Sequence, residues 1–255
     1  MSGQADRDRG RWAGRAVQAL FLIALISLWA LATSWGHVSP ILLPDPLAVL
    51  HELIDVLKSG EFVGDLRVTL TELAAAFAIS MTTGTIVGYL VSRSPYAIKV
   101  FEPLMAGAYS IPIILFLPLY VLFFGLGPPS KIALGATISF FPIALNTIAG
   151  FGYIDKILTV SARSMGASNY QLFRWVLLPA AFPVILTGLR MGFTVALLAI
   201  LGSETIASLA GLGHRIVHLA ESMDMARMFA YITFVVLIAA FLNAAVSRLE
   251  ARGKR

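Results

Sequence analysis

Apolar positions fall into long uninterrupted runs along the chain, and the short segments between them collect charge and proline. The runs cover about 16–35, 66–91, 100–124, 131–150, 183–205 and 228–247. A helix rises about 1.5 Å per residue, so about 20 apolar residues cross the hydrocarbon layer of a bilayer. Each run is read as a membrane span, and the expected fold is an all-α integral membrane bundle of six. The first run, Ala16 to Trp35, follows Arg7, Arg9, Arg11 and Arg15 in the charge order of a signal peptide. It is long enough to span, however, and no small-residue cleavage site follows it before ILLPDP at Ile41–Pro46, so it is read as a retained helix. The segment 36–65 contains an amphipathic stretch, Pro46–Leu57, suited to a short surface helix. The organisation expected is a tail over 1–15, a first span with an external segment over 16–65, a core of five spans over 66–248, and a second tail over 249–255.

Charge orients this arrangement. Only 13% of the residues are charged, against about a quarter in soluble domains, and mean hydropathy is +0.83. With the N-terminus inside, the inner segments hold Arg93, Lys99, Lys156, Arg163, Arg174, Arg248, Arg252, Lys254 and Arg255 beside the four N-terminal arginines. The outer segments and helix ends hold only Lys58, Arg67, Lys131, Arg215 and Arg227. Short cytoplasmic loops accumulate Lys and Arg, so both termini are expected in the cytoplasm. The net charge of +5 is thereby explained by orientation and not by nucleic-acid binding. The chain has no cysteine, which excludes disulfides, thiolate metal sites and thiol nucleophiles.

One inner segment, about 152–182, is too polar to span and too patterned for a linker. Met165, Leu172 and Val176 recur at helical spacing, with Arg163, Ser168, Asn169, Gln171 and Arg174 between them. Gly166 fits a turn between two short helices, and Ala167 and Ser168 fit the start of the second. Pro179 and Pro183 are expected to end that helix and launch the fifth span. A cytoplasmic helix-turn-helix joined to spans four and five is a docking knob.

The spacing in this segment resembles that of the permeases of binding-protein-dependent ABC importers. Their signature reads Glu-Ala-Ala, three residues, Gly, nine residues, Ile, any residue, Leu-Pro. Here Gly166, Val176 and Leu178-Pro179 fall in register, while Val160, Ser161 and Ala162 stand in for Glu-Ala-Ala, so only the third residue agrees. Further stretches resemble the nitrate, sulfonate and taurine subgroup: LLPDPLAVL at 42–50, the run 103–119, FFGLGPPSK at 123–131 and GSETIASLAGLGHRI at 202–216. The resemblance implies a type I importer fold and a translocation pathway for a small, anionic organic or inorganic solute. It also implies a second permease copy, identical or related, two ATPase subunits that bind the ATP and Mg, and an external solute-binding protein. The setting implied is a bacterial inner membrane. The ATPase-coupling residues implied are Val160, Ser161, Ala162, Arg163, Gly166, Ala167, Ser168, Tyr170, Phe173, Arg174, Leu178 and Pro179.

Individual residues leave alternatives open. Tyr170, Phe173 and Trp175 suit either an ATPase groove or a membrane interface, and Arg163 and Arg174 suit either partner acids or ordinary positive-inside bias. Tyr109, Ser110, Asn146 and Glu204 are candidates for the pathway lining; helix–helix hydrogen bonds, or a helix end in the case of Glu204, are the alternatives. Arg190 suits snorkelling to the inner surface. No GxxxxGK[ST] loop occurs, and His37, His51, His214 and His218 are scattered, so neither nucleotide nor metal binding by this chain is expected. The competing function is an ATP-independent secondary transporter or channel, which would show paired broken helices and an inverted repeat.

Overall fold

The computed structural model describes residues 17–18, 20–21, 23–34, 39 and 42–253, with side chains to residue 248. The tail arginines Arg7, Arg9, Arg11 and Arg15, with Ala16, Trp35, Lys254 and Arg255, lie outside the described residues. The described chain contains helices and no strand. They are α1 (Ile23–Ser34), α2 (Pro46–Ser59), α3 (Phe62–Ser92), α4 (Pro95–Tyr109), α5 (Leu117–Phe124), α6 (Pro128–Gly152), α7 (Lys156–Ser164), α8 (Asn169–Leu172), α9 (Leu178–Ile206), α10 (Leu212–Glu221) and α11 (Met225–Gly253).

Among the described residues, four helices are long and apolar enough to cross a bilayer: α3, α6, the continuous helix Asn169–Ile206, and α11. A further pair of helices meets the same criterion only when the two are taken together. The expected run 100–124 is α4 and a second piece, Ile113–Phe124, bent by 70°. The break has a chemical cause, since Pro112 has no N–H to donate and disfavours helical geometry at Ile111 before it. Pro142, by contrast, lies inside the uninterrupted α6. Of the first expected run, 16–35, the described residues include the apolar helix α1.

The fifth expected span, 183–205, starts much earlier than the sequence suggests. Pro179 and Pro183 do not end the short helix that follows Gly166; α8 runs through a π-helical segment, Phe173–Leu177, directly into α9. The Leu178 N–H reaches back to the Phe173 carbonyl, one residue further than in an α-helix. The widened turn lies immediately before the proline that cannot donate, so the helix absorbs Pro179 instead of breaking at it.

The chain divides into two compact units. One comprises the described residues up to Glu61 together with Ile216–Phe234. In it the Trp29 indole N–H donates to the Pro44 carbonyl at 3.1 Å, and the Trp29 ring lies 6.0 Å from that of Phe229. Arg227 lies 3.0 Å from Glu61 and 3.9 Å from Glu52, and the Tyr231 hydroxyl meets Glu61 at 3.3 Å. Helix α2 forms on the amphipathic stretch read from the sequence and buries Val49, Leu53 and Val56.

The other unit comprises Phe62–Arg215 and Val235–Arg255. Its centre is α6, packed between α3 and α9. Contact is close because glycines face the neighbouring helix. A Cβ on Gly88 would lie 2.6 Å from the Thr147 Cβ, and one on Gly192 would lie 2.5 Å from the Ile143 side chain. Small residues at such crossings let backbones approach, which supplies dispersion contact where lipid gives no hydrophobic drive. Span hydroxyls are satisfied locally: Ser139 donates to Gly135 O at 2.7 Å and Thr147 to Ile143 O at 2.7 Å.

Candidate functional site

The helix-turn-helix between α6 and α9 is built from consecutive local devices. Asp155 caps α7 by accepting the Ile157 N–H at 2.9 Å. The helix ends in a left-handed turn at Gly166, φ +81°, with Ala167 N–H bonded to Ala162 O and Gly166 N–H to Arg163 O. This is the Schellman arrangement, and a glycine adopts its positive φ without a Cβ clash. Two residues on, Ser168 Oγ accepts the Gln171 N–H while Gln171 Oε1 accepts the Ser168 N–H, a reciprocal capping box that starts α8. Arg163 donates to the Asn169 side-chain carbonyl across the turn.

Exposure then separates anchors from tips. Ala162 and Leu172 are buried, and Phe173 packs on Tyr89 at 5.5 Å and stacks on Phe151 at 6.1 Å. Met165, Tyr170 and Trp175 point outward with 82%, 73% and 69% exposure, and Val160 and Ser161 are exposed too. Arg174 lies over the Trp175 ring at 5.1 Å and, with Leu178, Pro179 and Phe182, lines an open cavity of about 490 Å³. The one signature position that agrees at 160–162, Ala162, is therefore the one that packs. Near the knob, the Tyr153 hydroxyl donates to Glu102 at 2.8 Å, and that hydrogen bond holds the phenol above its ordinary range.

A second polar constellation lies where α9 ends and α10 begins. Glu204 is buried, its Oε1 accepting from the Thr69 hydroxyl at 2.7 Å and its Oε2 from the Gly213 N–H at 2.8 Å. Thr69 Oγ1 in turn accepts the Leu212 N–H at 3.0 Å, and Asp65 accepts the Gly211 N–H at 3.2 Å. Glu72 and Lys131 are buried in the same unit, and Lys131 donates to the Leu126 and Gly127 carbonyls.

Comparison with known proteins adds a decisive match. Residues 69–255 match the family described as "Binding-protein-dependent transport system inner membrane component". The chain belongs to that family. Its relatives include the taurine transport system permease protein TauC of Escherichia coli (strain K12), 30% identical over 236 residues, 91% of this chain and 86% of that protein. The putative aliphatic sulfonates transport permease protein SsuC of Bacillus subtilis (strain 168) is 28% identical over 89% of this chain and 83% of its own length. The formylaminopyrimidine transport permease protein ThiX of Halalkalibacterium halodurans is 29% identical over 91% and 92%. Among solved structures, a chain of the MetNI methionine ABC transporter in inward-facing conformations superimposes with a TM-score of 0.62 at 20% identity, covering 74% of this chain and 94% of that one. A chain of an amino acid ABC transporter crystallised with histidines gives 0.61 at 22%, covering 80% and 97%. The protein is thus the permease subunit of an ABC importer, a multi-pass membrane protein with the type I fold.

The four pathway candidates of this permease do not converge on one point. Tyr109 packs against Phe141 at 6.0 Å, Ser110 donates to Ala106 O of its own helix, and Glu204 is turned to Thr69 and the start of α10. Asn146 donates to Pro142 O at 2.8 Å and lies 3.8 Å from the Met191 sulfur. Met191 itself lines a cavity of about 410 Å³ with Thr187, Arg190, Thr194, Val195 and Asn243. Thr187, Thr194 and Asn243 carried no sequence signal beyond being polar residues within apolar runs. Their convergence depends on α9 and α11 lying side by side.

Proposed function

We propose that two copies of this permease enclose a translocation path and that each docks one ATPase subunit through the knob around Gly166. In this reading the knob and both termini face the cytoplasm of a bacterial inner membrane, and an external binding protein delivers the solute on the other side. ATP and Mg sit on the ATPase. Closure of the ATPase pair favours one orientation of the helices, and hydrolysis restores the other, so access alternates because the partners bind the two conformations with different affinity. The observation that carries this reading is the exposed triplet Met165, Tyr170 and Trp175 on a turn rigidified by its own caps. Aromatic side chains on a preorganised protrusion are the usual energetic centre of a protein interface. Continuity of the knob with α9 through the π-segment supplies a stiff lever into the bundle.

The solute we propose is a small organic anion of the sulfonate class. Support comes from the relatives that carry taurine and aliphatic sulfonates, and from a cavity that gathers a guanidinium, two hydroxyls and an amide at Arg190, Thr187, Thr194 and Asn243. The guanidinium suits sulfonate oxygens as a charge-assisted donor, while the Thr187 and Thr194 hydroxyls donate to Pro183 O and Arg190 O of their own helix.

The test is a pull-down of the tagged chain from its native membranes beside Gly166→Asp. A Cβ at 166 would meet nothing within 4 Å, so the substitution strains only the left-handed turn and leaves the spans intact. Recovery of an ATPase with the parent and its loss with the variant is the expected result. An inserted parent that recovers no ATPase would overturn docking through the knob. Uptake of radiolabelled taurine, competed by short alkylsulfonates but not by neutral amino acids, tests the solute.

A further inference from the structure

The segment joining α9 to α10, Ala207–Gly211, forms a lip that exposes Leu209 to 72%, yet it is followed at once by a polar network in which Thr69 and Glu204 are buried. Three successive backbone N–H groups, those of Gly211, Leu212 and Gly213, point at three side chains: Asp65, Thr69 and Glu204. These N–H groups belong to the start of α10, where an α-helix has donors without intrahelical acceptors. They would otherwise be desolvated without partners, and carboxylates there also complement the positive end of the helix dipole. Asp65 and Thr69 are four residues apart on α3 and so share one face, while Glu204 comes from the end of α9. The Thr69 hydroxyl is the relay, donating to Glu204 and accepting from Leu212.

The backbone is shaped to this network. Gly211 has φ +107°, and a Cβ there would fall 2.3 Å from Glu204 Oε1. A Cβ on Gly213 would fall 2.6 Å from the Leu201 carbonyl and 2.7 Å from the Glu204 Cβ. Only glycines let the first turn of α10 settle onto the carboxylate at this distance.

We propose that Glu204 is a positioning residue for transport: through Thr69 it latches the start of α10 to α3 and α9 and so sets the position of the lip, and movement of α3 against α9 during the cycle is passed to the lip through this latch. The proposal rests on the importer reading for its consequence, but the latch itself is testable without it. The protein has no cysteine, so Leu209→Cys provides a single reporter thiol on the lip. The measurement is the labelling rate of that thiol by a hydrophilic maleimide in permeabilised membranes, where sidedness plays no part.

Introduced beside Leu209→Cys, Thr69→Val should raise the labelling rate several-fold, because the isosteric methyl can neither donate to Glu204 nor accept from Leu212. Thr69→Ser keeps the hydroxyl and should label at the parental rate; Glu204→Gln should fall on the side of Thr69→Val. In the assembled complex, Thr69→Val should also lower the ratio of solute moved to ATP hydrolysed at least tenfold while basal hydrolysis stays within about twofold. Equal labelling of Thr69→Val and parent overturns the latch, as does a Thr69→Ser variant that behaves like Thr69→Val, which would mark a packing effect. A labelling shift with no ATPase in the complex would leave the latch standing and count against the importer reading instead.

Discussion

The knob and the lip are both short polar segments at the end of a span, yet they are held in opposite ways. The knob's hydrogen bonds join residues two to six apart in sequence, and its tips face solvent. Three of the lip's four join residues 135 to 146 apart, the fourth joins Gly213 to Glu204, and its key carboxylate is 1% exposed. A locally closed motif keeps its shape wherever the bundle moves, which suits a part that must present one face to a partner. A motif closed through distant helices changes whenever those helices shift, which suits a part that must respond to them.

Removing the acid tests the lip side of this contrast most severely. Glu204→Ala leaves the Thr69 hydroxyl hydrogen and the Gly213 N–H buried without acceptors, and unmet buried groups cost about 1–3 kcal/mol each. A fall in detergent melting temperature larger than that of any knob substitution is expected; an unchanged melting temperature would break the comparison. Next in size is Gly88→Val, which forces a side chain into the space of Thr147 and Ala144 at the α3–α6 crossing. Overpacking there should cost about 2 kcal/mol and lower the melting temperature without altering ATPase recovery per folded molecule.

The knob should respond with a smaller energy and a larger binding effect. Ser168→Ala removes the capping box, worth about 1 kcal/mol of local helix stability. ATPase recovery should drop while the melting temperature of the bundle hardly moves. The smallest effect belongs to Thr82→Ala, an exposed hydroxyl on α3 that donates only to Ala78 O of its own helix. Indistinguishable melting and recovery are expected, and a measurable loss would show that the local hydroxyl bonds of the spans matter more than their geometry indicates.

Legibility followed the same division. Gly166 and Ser168 announced their turn and cap because a positive φ and a side-chain cap are properties of one or two residues. Phe173 was not separable from Tyr170 and Trp175 by type; only its packing against Tyr89 and Phe151 turns it inward as an anchor. Pro179 was expected to end a helix, because a single proline in isolation does so, but the π-turn before it carries the helix through. Pro112 and the bend at the third expected run show the other outcome of the same chemistry.

By itself the sequence determined that the chain spans a membrane several times, which apolar runs take part, and that a knob turning at a glycine, with an importer signature, lies between two of them. These follow from run length, composition and spacing, which are sums over neighbouring residues. The tertiary structure alone decided that Thr69 meets Glu204, that three consecutive amides of α10 close on α3 and α9, and that Thr187, Arg190 and Asn243 share a cavity. Those pairings depend on which faces of distant helices come together, and glycine-sized gaps such as those at Gly88 and Gly192 set that register through close packing rather than through any local preference.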